Sequence, residues 1–393
     1  MRTFVGKIDK IFKSFIKSEK LLFAAGLFLV LAVSIVMIIN NRYNVFLVYK
    51  FGSLDFWNNI NPYSNWQHPY DRYLYGPVFS ILFSFFTFLP SWSGALLWNL
   101  FCFTLFSYTV FNLPAQGFPF RTKRFVYLYL FPIVLTDLFY FQSNVLVTSV
   151  FLLAYTFLEK NKQFYALFLI LISGFSKIYG LIQLGTLLFY KRLWRNIIVG
   201  IFVSLIFFFL PLIKIPMSEL FDYYLSWFNA IAERHTNPAD NQNIFRLLNF
   251  TGFNNVDKHI KLIQAISLLF IPILTLINRV NFNKFEFRTG VLGIIVMWVI
   301  LFSTTAEKHT YVIGMAGFVL WYLVSPKTKF DNILLWLNFF IIIVVPIDAL
   351  VPKAVMRFFY YELGLNLILL TITWLRMVSF TFSGNFISKA DQL

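Results

Sequence analysis

Residues 164–190, FYALFLILISGFSKIYGLIQLGTLLFY, decide the fold of this chain. The run is apolar except at its middle, where Gly174, Lys177 and Gly180 interrupt it. A helix crosses the hydrocarbon core of a bilayer with about 20 residues, so the run has the length of a membrane segment. Basic residues flank both of its ends, and such clusters stay on the cytoplasmic side. We therefore predict two half-helices joined at Lys177, where broken backbone lines a cavity inside a membrane protein.

The composition of the whole chain agrees with a membrane protein. Of its 393 residues, 59% are hydrophobic and 13% are charged, and the mean hydropathy is +0.71. A soluble domain has about 45–50% apolar residues and cannot hide so much apolar surface. A soluble enzyme, a disordered protein and a nucleic-acid reader are therefore excluded. The net charge of +16 is typical of cytoplasmic loops that fix orientation, and the single Cys102 cannot form an intrachain disulfide.

The apolar segments predict one all-α polytopic membrane domain, 1–393, with about ten to thirteen membrane helices and both termini inside. Residues 1–20 are basic and amphipathic, which predicts a segment on the cytoplasmic membrane surface. Residues 40–75 and 214–258 are polar and aromatic, and we expect them to form two larger periplasmic loops. The apolar run Gly76–Pro90 is too short to cross, so we expect it to enter and leave the membrane from the outer side.

Polar side chains stand at the predicted outer ends of several segments, although a charge at membrane depth costs about 2.5–3.5 kcal/mol. We expect them to converge on one face of the membrane. They are Asp55, His68, Asp71, Arg72, Asp137, Gln142, Asn144, Lys177, Tyr179, Glu307, Lys308 and His309. Such a mixture suits a sugar phosphate: a carboxylate takes a proton from an acceptor hydroxyl, and cations neutralise a leaving phosphate. No spacing indicates a metal site, and no cofactor is expected.

Plainer interpretations of these residues stay open. Asp71 and Arg72 are adjacent and could form a solvated ion pair or a helix cap. Asp55 could cap the N-terminus of a short helix. Asp137 could pair with Lys177 inside the bundle, because buried charges need partners. Lys177 could instead reach the interface with its charged end, but its depth in the segment favours a functional cavity. The two histidines are more typical of structural hydrogen bonds.

Six short motifs, in this order, resemble the GT-C membrane glycosyltransferases of glycosyltransferase family 87. They are Asn61-Pro-Tyr63, Tyr73-Leu-Tyr-Gly-Pro77, Gln142-Ser-Asn144, Gly174-Phe-Ser-Lys177, Asn241-Gln-Asn243 and His309-Thr-Tyr311. The similarity runs from about residue 40 to 325. The resemblance implies a GT-C-like bundle with broken helices, in a bacterial inner membrane, that takes sugar from a polyprenyl-phosphate donor.

The chain departs from that family at the position of the catalytic base. The family has an aspartate shortly after the first helix, and the matching position here is Val45, beside Asn44. Neither side chain can accept a proton, so the base would be Asp71 or Asp55. Asp71 is preferred because it stands beside the Tyr-Gly-Pro turn. We predict substrate contacts from the following residues: Arg72, Tyr75, Gln142, Asn144, Lys177, Gln242, Lys308 and His309.

The predicted function is transfer of a hexose, mannose-like by resemblance, from a polyprenyl-phosphate sugar donor to a lipid-linked or envelope-glycan acceptor. The resemblance implies a single displacement that inverts the anomeric centre. The expected partners are therefore this donor, this acceptor and membrane lipid, without nucleic acid. Two other functions stay open. One is a transporter or flippase of lipid-linked substrate built on re-entrant helices. The other is a non-catalytic GT-C-like envelope subunit.

Overall fold

The structure of the protein is a computed structural model that describes residues 18–64, 66–191, 193–233, 242–253, 256–348 and 350–383. Most of the predicted amphipathic N-terminus and Asn241 of the fifth motif lie outside these residues. Within the described part, every regular element is a helix and none is a strand. The prediction of an all-α protein is confirmed.

Seventeen α-helices, joined by connections of different lengths, make up most of the described chain. In chain order the α-helices are α1 (Glu19–Ile39), α2 (Asn44–Trp57), α3 (Pro77–Leu82), α4 (Ser84–Thr87), α5 (Ser91–Phe111), α6 (Phe120–Phe139), α7 (Asn144–Glu159), α8 (Gln163–Ser176), α9 (Leu193–Phe209), α10 (Met217–Glu233), α11 (Ile244–Phe250), α12 (Val256–Ile277), α13 (Phe285–Phe302), α14 (Tyr311–Val324), α15 (Lys329–Leu337), α16 (Lys353–Arg357) and α17 (Leu365–Ser383). Tighter 3₁₀ turns cover Ile178–Phe189, Leu210–Ile213, Arg279–Asn281 and Lys308–Thr310, and wider π turns cover Asn338–Val344 and Phe358–Glu362.

Six helices of the described chain are long and apolar enough to cross a membrane. They are α1, α5, α9 with its extension to Ile213, α12 from Lys258 onward, α13 and α17. Helices α7 and α8 and the 3₁₀ segment Ile178–Phe189 are apolar but shorter. A polytopic membrane protein is therefore confirmed, and the count of ten to thirteen crossings stays a prediction.

The predicted break in the segment 164–190 is present. Helix α8 ends at Ser176, Lys177 has extended backbone, and a 3₁₀ helix follows. The chain folds back so closely that a Cβ on Gly180 would lie 2.7 Å from the backbone nitrogen of Gly174. Only a glycine fits such a return. The break therefore lies at the one lysine of the segment. Backbone polar groups freed by the break and the Lys177 side chain lie at the same place.

The two segments predicted as outer loops contain helices of their own. Helix α2 lies in the first, and α10 and α11 lie in the second. Asp55 stands in the last turn of α2, so the interpretation that it caps a helix N-terminus is wrong. The run Gly76–Pro90 forms the short helices α3 and α4, which pack on α2; Ser53 Oγ donates to the Ser80 carbonyl at 2.7 Å.

The core of the bundle is the pair α13 and α14. Gly293 and Gly317 lie at their crossing, where a Cβ on either would come within 3.0 Å of the other's carbonyl oxygen. Small residues allow membrane helices to approach this closely. Helices α9 and α12 lie at the periphery, with only 22% and 11% of their apolar windows buried.

An ion pair closes the end of the bundle that carries the predicted cytoplasmic loops. Arg288 donates to both carboxylate oxygens of Glu159, at 2.7 and 2.6 Å, and Tyr190 donates to the same carboxylate at 2.6 Å. Glu159, Tyr190 and Arg288 each stand beside or within one of the basic stretches 160–162, 191–195 and 279–288. Three segments predicted on the cytoplasmic side therefore contact each other. The candidate site lies at the opposite end, which we call the cavity end.

Candidate active site

A polar cavity of about 150 Å³ opens at the cavity end of the bundle. Helices α2 and α10, the turn before α3, the start of α7, the break after α8 and the 305–310 turn form its wall. The lining residues are Val45, Val48, Tyr49, Asp71, Arg72, Leu74, Tyr75, Gln142, Asn144, Lys177, Ile178, Tyr179, Ile231, Thr305, Glu307 and Thr310. The cavity thus brings two cations and two carboxylates together with amides, hydroxyls and aromatic rings.

The motif Asn61-Pro-Tyr63 fixes Tyr75 in the cavity wall. The Asn61 side chain accepts from the backbone nitrogen of Tyr63 at 3.0 Å, which closes a local turn. The buried Tyr63 hydroxyl donates to the carbonyl of Tyr75 at 2.6 Å. The Tyr75 hydroxyl in turn donates to the Tyr49 hydroxyl at 3.1 Å and accepts from Ser143 at 3.3 Å. The first outer segment is therefore held against both α2 and α7.

Gly76 brings this segment into direct contact with the broken helix. Its backbone nitrogen donates to the Ser176 carbonyl at 2.9 Å. A Cβ at this position would lie 1.9 Å from the carbonyl oxygen of Phe175, so no larger residue fits. The contact sets the Lys177 ammonium 4.8 Å from the centroid of the Tyr75 ring. The Tyr-Gly-Pro motif and the lysine motif thus form one structural unit.

Lys177 is the cation deepest in the cavity wall. Its Nζ donates to Asn144 Oδ1 at 3.2 Å and also lies 5.7 Å from the centroid of the Tyr179 ring. No carboxylate of the described residues forms an ion pair with it. An ammonium has three donors; Asn144 Oδ1 accepts from it here, and the Tyr75 and Tyr179 rings lie beside it. The group is therefore able to bind an anion that enters the cavity.

Asp137 lies behind Lys177 and reaches it through Asn144. The buried carboxylate accepts from Asn144 Nδ2 at 3.1 Å and from the backbone nitrogen of Val145 at 3.0 Å. The direct pair of Asp137 with Lys177 that the sequence left open is replaced by this bridge. Because the amide donates to the carboxylate, its oxygen points to the lysine. Asp137 thereby accepts a backbone hydrogen bond in the first turn of α7 and also fixes the orientation of the Asn144 amide.

Asp71 and Arg72 do not pair with each other. Arg72 forms an ion pair with Glu233 at the end of α10 and donates to the Tyr63 carbonyl at 2.7 Å. The exposed Asp71 carboxylate makes no hydrogen bond to any other described residue. It therefore keeps both oxygens available at the cavity, and the solvated-pair interpretation does not hold.

Asp55, the other candidate base, lies outside the cavity lining. It is 5% exposed, and both its oxygens lie near His68 Nε2, at 3.1 and 3.0 Å. The His68 ring stacks on Phe51 with centroids 4.5 Å apart. Burial raises the pKa of the Asp55 carboxyl, and the hydrogen bond to His68 acts in the opposite direction. The pair joins α2 to the outer segment that carries Asp71.

Gln242, Lys308 and His309 also lie outside the cavity lining. The Gln242 side-chain oxygen accepts from Asn366 Nδ2 at 2.8 Å, which ties the second outer segment to α17. Lys308 and His309 face Tyr140 instead, with Nζ 5.7 Å and the imidazole centroid 4.5 Å from the ring centroid. Burial, assisted by the Lys308 charge, lowers the pKa of His309 to about 3, so the imidazole is neutral at pH 7.

The cavity includes Glu307, which the sequence analysis placed among the converging polar residues, and further residues that it did not select. Glu307 and Thr310 line it while the two residues between them face away, because a 3₁₀ turn repeats every three residues. The side chains of Glu307 and Thr310 also cap this turn reciprocally. Tyr49 and Val45 come from α2, and Val45 is the position matched to the family's aspartate. The charged Lys308 and His309 indicated that this turn belongs to the site. The sequence did not show which residues of the turn face the cavity.

An apolar groove of about 310 Å³ adjoins the polar cavity. Phenylalanine, leucine and valine side chains of α3, α5, α7 and α8 form most of its wall. Its lining residues are Tyr75, Phe79, Leu82, Phe83, Phe86, Trp98, Phe101, Leu105, Ser143, Leu146, Val147, Val150, Leu169, Ile172, Ser173, Ser176 and Lys177. Leu82 and Phe101 are each 45% exposed, so the groove reaches the outer surface of the bundle. Tyr75 and Lys177 belong to both the groove and the cavity.

Comparison with known proteins identifies the family. The sequence profile of glycosyltransferase family 87 matches residues 73–326, which is more than half of the chain. No curated protein sequence matches the chain. The chain therefore belongs to glycosyltransferase family 87, and the membership implies a multi-pass membrane glycosyltransferase with a sugar donor and an acceptor.

Proposed function

We propose that this family 87 glycosyltransferase transfers a hexose from a polyprenyl-phosphate donor to a hydroxyl of a lipid-linked or envelope-glycan acceptor. The observation that carries the proposal is the junction of two unlike spaces at Tyr75 and Lys177. One space is apolar and reaches the outer surface of the bundle. The other holds two carboxylates, two cations and several amides and hydroxyls. A polyprenyl-phosphate sugar is divided in the same way: its lipid chain is apolar, its sugar is polar, and the phosphate joins the two.

The apolar groove would hold the isoprenoid chain. Its wall is built of aromatic and aliphatic side chains, so a lipid chain that enters the groove passes from one apolar environment into another without a desolvation cost. The exposed Leu82 and Phe101 mark where the chain would pass from the bilayer into the protein. The residues that line the groove carry no charge except Lys177, which the groove shares with the polar cavity. A donor that binds there must present its anionic group to that lysine.

Lys177 would neutralise the phosphate that leaves with the lipid. A cation placed where negative charge develops stabilises the transition state more than the ground state. Asn144 and the Tyr75 and Tyr179 rings hold the ammonium in place without a directly paired carboxylate among the described residues. Arg72 stands at the same cavity, although its guanidinium already serves Glu233 and the Tyr63 carbonyl. Lys177 is therefore our first candidate for the phosphate contact.

Asp71 would be the general base. Its carboxylate takes the proton of the acceptor hydroxyl while the hydroxyl oxygen attacks the anomeric carbon. The bond from that carbon to the phosphate oxygen breaks, and its electron pair leaves with the polyprenyl phosphate. A single displacement of this kind inverts the anomeric centre. Asp71 is preferred to Asp55 because it lines the cavity, whereas the Asp55 carboxylate is buried against His68 outside it.

The donor lipid and the acceptor suggest the location. Polyprenyl-phosphate sugars are membrane substrates, and an envelope acceptor would reach the cavity end from the periplasmic side of a bacterial inner membrane. The basic loops at the opposite end of the bundle support this orientation, because positive charge stays in the cytoplasm. A mannose-like hexose is our first choice of sugar.

A transfer assay in proteoliposomes tests the proposal. Purified protein is given synthetic polyprenyl-phosphate hexoses, the mannose donor first, and a mixture of lipid-linked and glycan acceptors. We expect transfer by the wild type, and Asp71→Asn should lower kcat by about 10²–10⁴-fold, the usual contribution of a general base. Asp55→Asn tests the rival base, and the exposed Glu219→Gln is a matched control for loss of a carboxylate.

Each outcome of this assay has a distinct meaning. Loss of activity in Asp55→Asn with full activity in Asp71→Asn would overturn the assignment of the base. Movement of the donor across the bilayer without transfer would instead indicate a flippase. A folded wild type that transfers sugar from no polyprenyl-phosphate donor would contradict the proposed substrate class.

A further inference from the structure

Helix α10 presents three different faces around its axis. One face packs on the protein through Leu220, Tyr223, Tyr224, Trp227 and Ala230, all buried. The other two faces are exposed and differ from each other in polarity. Most surface helices have only one apolar face, which turns to the core. The third face of α10 therefore needs a separate explanation.

The buried face fixes α10 to the cavity wall. Trp227 Nε1 donates to the carbonyl of Leu74 at 3.0 Å, and the Tyr224 hydroxyl donates to the carbonyl of Phe208 at 3.1 Å. Ile231 then enters the cavity lining, and Glu233 forms the ion pair with Arg72. The orientation of the helix is thus set by the rest of the protein. Its exposed faces point in directions that the fold imposes.

An apolar stripe runs along one exposed face. Met217 is 65% exposed, Phe221 71%, Leu225 46% and Phe228 45%, and these residues recur once per helical turn. The side chains of the neighbouring face are polar or acidic. They are Ser218, Glu219, Asp222, Ser226, Asn229 and Glu233. Apolar and polar surface therefore meet along a line parallel to the helix axis.

The apolar stripe continues the lipid-facing surface of α9. That helix is a candidate membrane span with most of its apolar window exposed. Phe209 and Ile213, at its end toward the cavity, are 40% and 63% exposed. Only three residues separate this end from Met217, where the stripe begins. The exposed apolar residues of α9 and of the stripe on α10 are therefore separated only by the short connection 214–216.

We propose that α10 lies in the membrane interface on the cavity side, with its apolar stripe inserted at the boundary of headgroups and acyl chains. A helix with one apolar and one polar exposed face binds a bilayer in this way. No lysine or arginine occurs between Met217 and Glu233. The helix therefore inserts by burial of apolar surface and not by attraction to anionic lipid. The bilayer supports the cavity wall that Ile231 and the Arg72–Glu233 pair complete.

Spin-label accessibility of the full chain in proteoliposomes tests this inference. Single cysteines replace Phe221, Leu225 and Phe228 on the stripe, with Asp222 and Asn229 as matched controls one residue away, in a Cys102→Ala background. Each label is exposed to oxygen, which partitions into lipid, and to a water-soluble nickel chelate. We expect the stripe labels to favour oxygen over nickel at least about tenfold more than the control labels. The contrast should be equal in neutral and in anionic vesicles.

Three results would overturn the inference. Stripe labels as accessible to nickel as the controls would place the stripe in water. Stripe labels shielded from both reagents would indicate that a second copy or another protein covers the face. A contrast that appears only in anionic vesicles would indicate electrostatic binding. The measurement needs no sugar transfer, so its outcome does not depend on the proposed function.

Discussion

Gly76→Ala should separate the two motifs that form the junction of cavity and groove. The added Cβ would lie 1.9 Å from the carbonyl oxygen of Phe175 and 3.0 Å from the Trp227 ring. Unbonded heavy atoms rest at about 3.5 Å, so the backbones must part by roughly 1.5 Å. The hydrogen bond from the Gly76 nitrogen to the Ser176 carbonyl, now 2.9 Å, would break or lengthen. Tyr75 would thereby move away from Lys177.

The magnitude follows from this displacement. Inserting a carbon into a packed site costs about 1–3 kcal/mol, and losing a hydrogen bond adds about 0.5–1.5 kcal/mol. A misplacement of reacting groups by about 1 Å lowers a rate by roughly 10²-fold. We therefore expect a lower thermal unfolding midpoint and a roughly 100-fold slower sugar transfer. The loss of stability and the loss of activity have one cause. The added Cβ meets the Phe175 carbonyl oxygen, which belongs to the backbone and cannot rotate away as a side chain could.

The assay compares Gly76→Ala with Gly185→Ala in the same detergent and in proteoliposomes. Gly185 lies in the broken segment too, but its Cβ would meet only Ile295 Cδ1, at 3.8 Å, which is an ordinary contact. The control variant should keep the unfolding midpoint and the transfer rate. A Gly76→Ala protein as stable and as active as the wild type would refute the reasoning.

Three further predictions concern the surroundings of the site. Asp137→Asn should let the Asn144 amide rotate away from Lys177 and lower kcat about tenfold with a smaller rise in the KM for donor, measured by steady-state kinetics; an unchanged kcat would contradict it. Leu169→Trp should fill the apolar groove and slow transfer from long-chain donors while sparing short-chain ones. Because the pKa of His309 is lowered to about 3, the unfolded chain binds the extra proton, so stability should fall as the pH drops from about 6.5 toward 3; His309→Asn should flatten this dependence in thermal unfolding.

The sequence predicted the centre of the site because its signals are local. Glycines and a lysine inside an apolar run mark a break, and the structure has the break at Lys177. Costly polar groups at helix ends indicated a common face, and one cavity contains these predicted residues: Asp71, Arg72, Tyr75, Gln142, Asn144, Lys177, Tyr179 and Glu307. The membrane accounts for this success, since polar groups in hydrocarbon must meet one another.

The rest of the site depends on the phase and packing of short elements. The 3₁₀ turn Lys308–Thr310 sends Glu307 to the cavity and His309 to Tyr140, and a shift of one residue would reverse this. Helix α2 was not recognised, because it lies in a polar, aromatic segment without a clear apolar period. Asp55 lies in the last turn of this helix and contacts His68 outside the cavity. That contact depends on tertiary packing, which the sequence pattern does not reveal.

A cryo-electron microscopy map of the Asp71→Asn protein with a polyprenyl-phosphate hexose tests the central claim most directly. The variant should retain the donor because the proposed base is removed while Lys177 remains. We predict phosphate density at hydrogen-bond distance, about 3 Å, from Lys177 Nζ, with the sugar in the polar cavity and the isoprenoid in the groove of Phe79 and Phe101. Phosphate bound elsewhere, for instance at Lys308, or a lipid chain outside that groove would contradict the account.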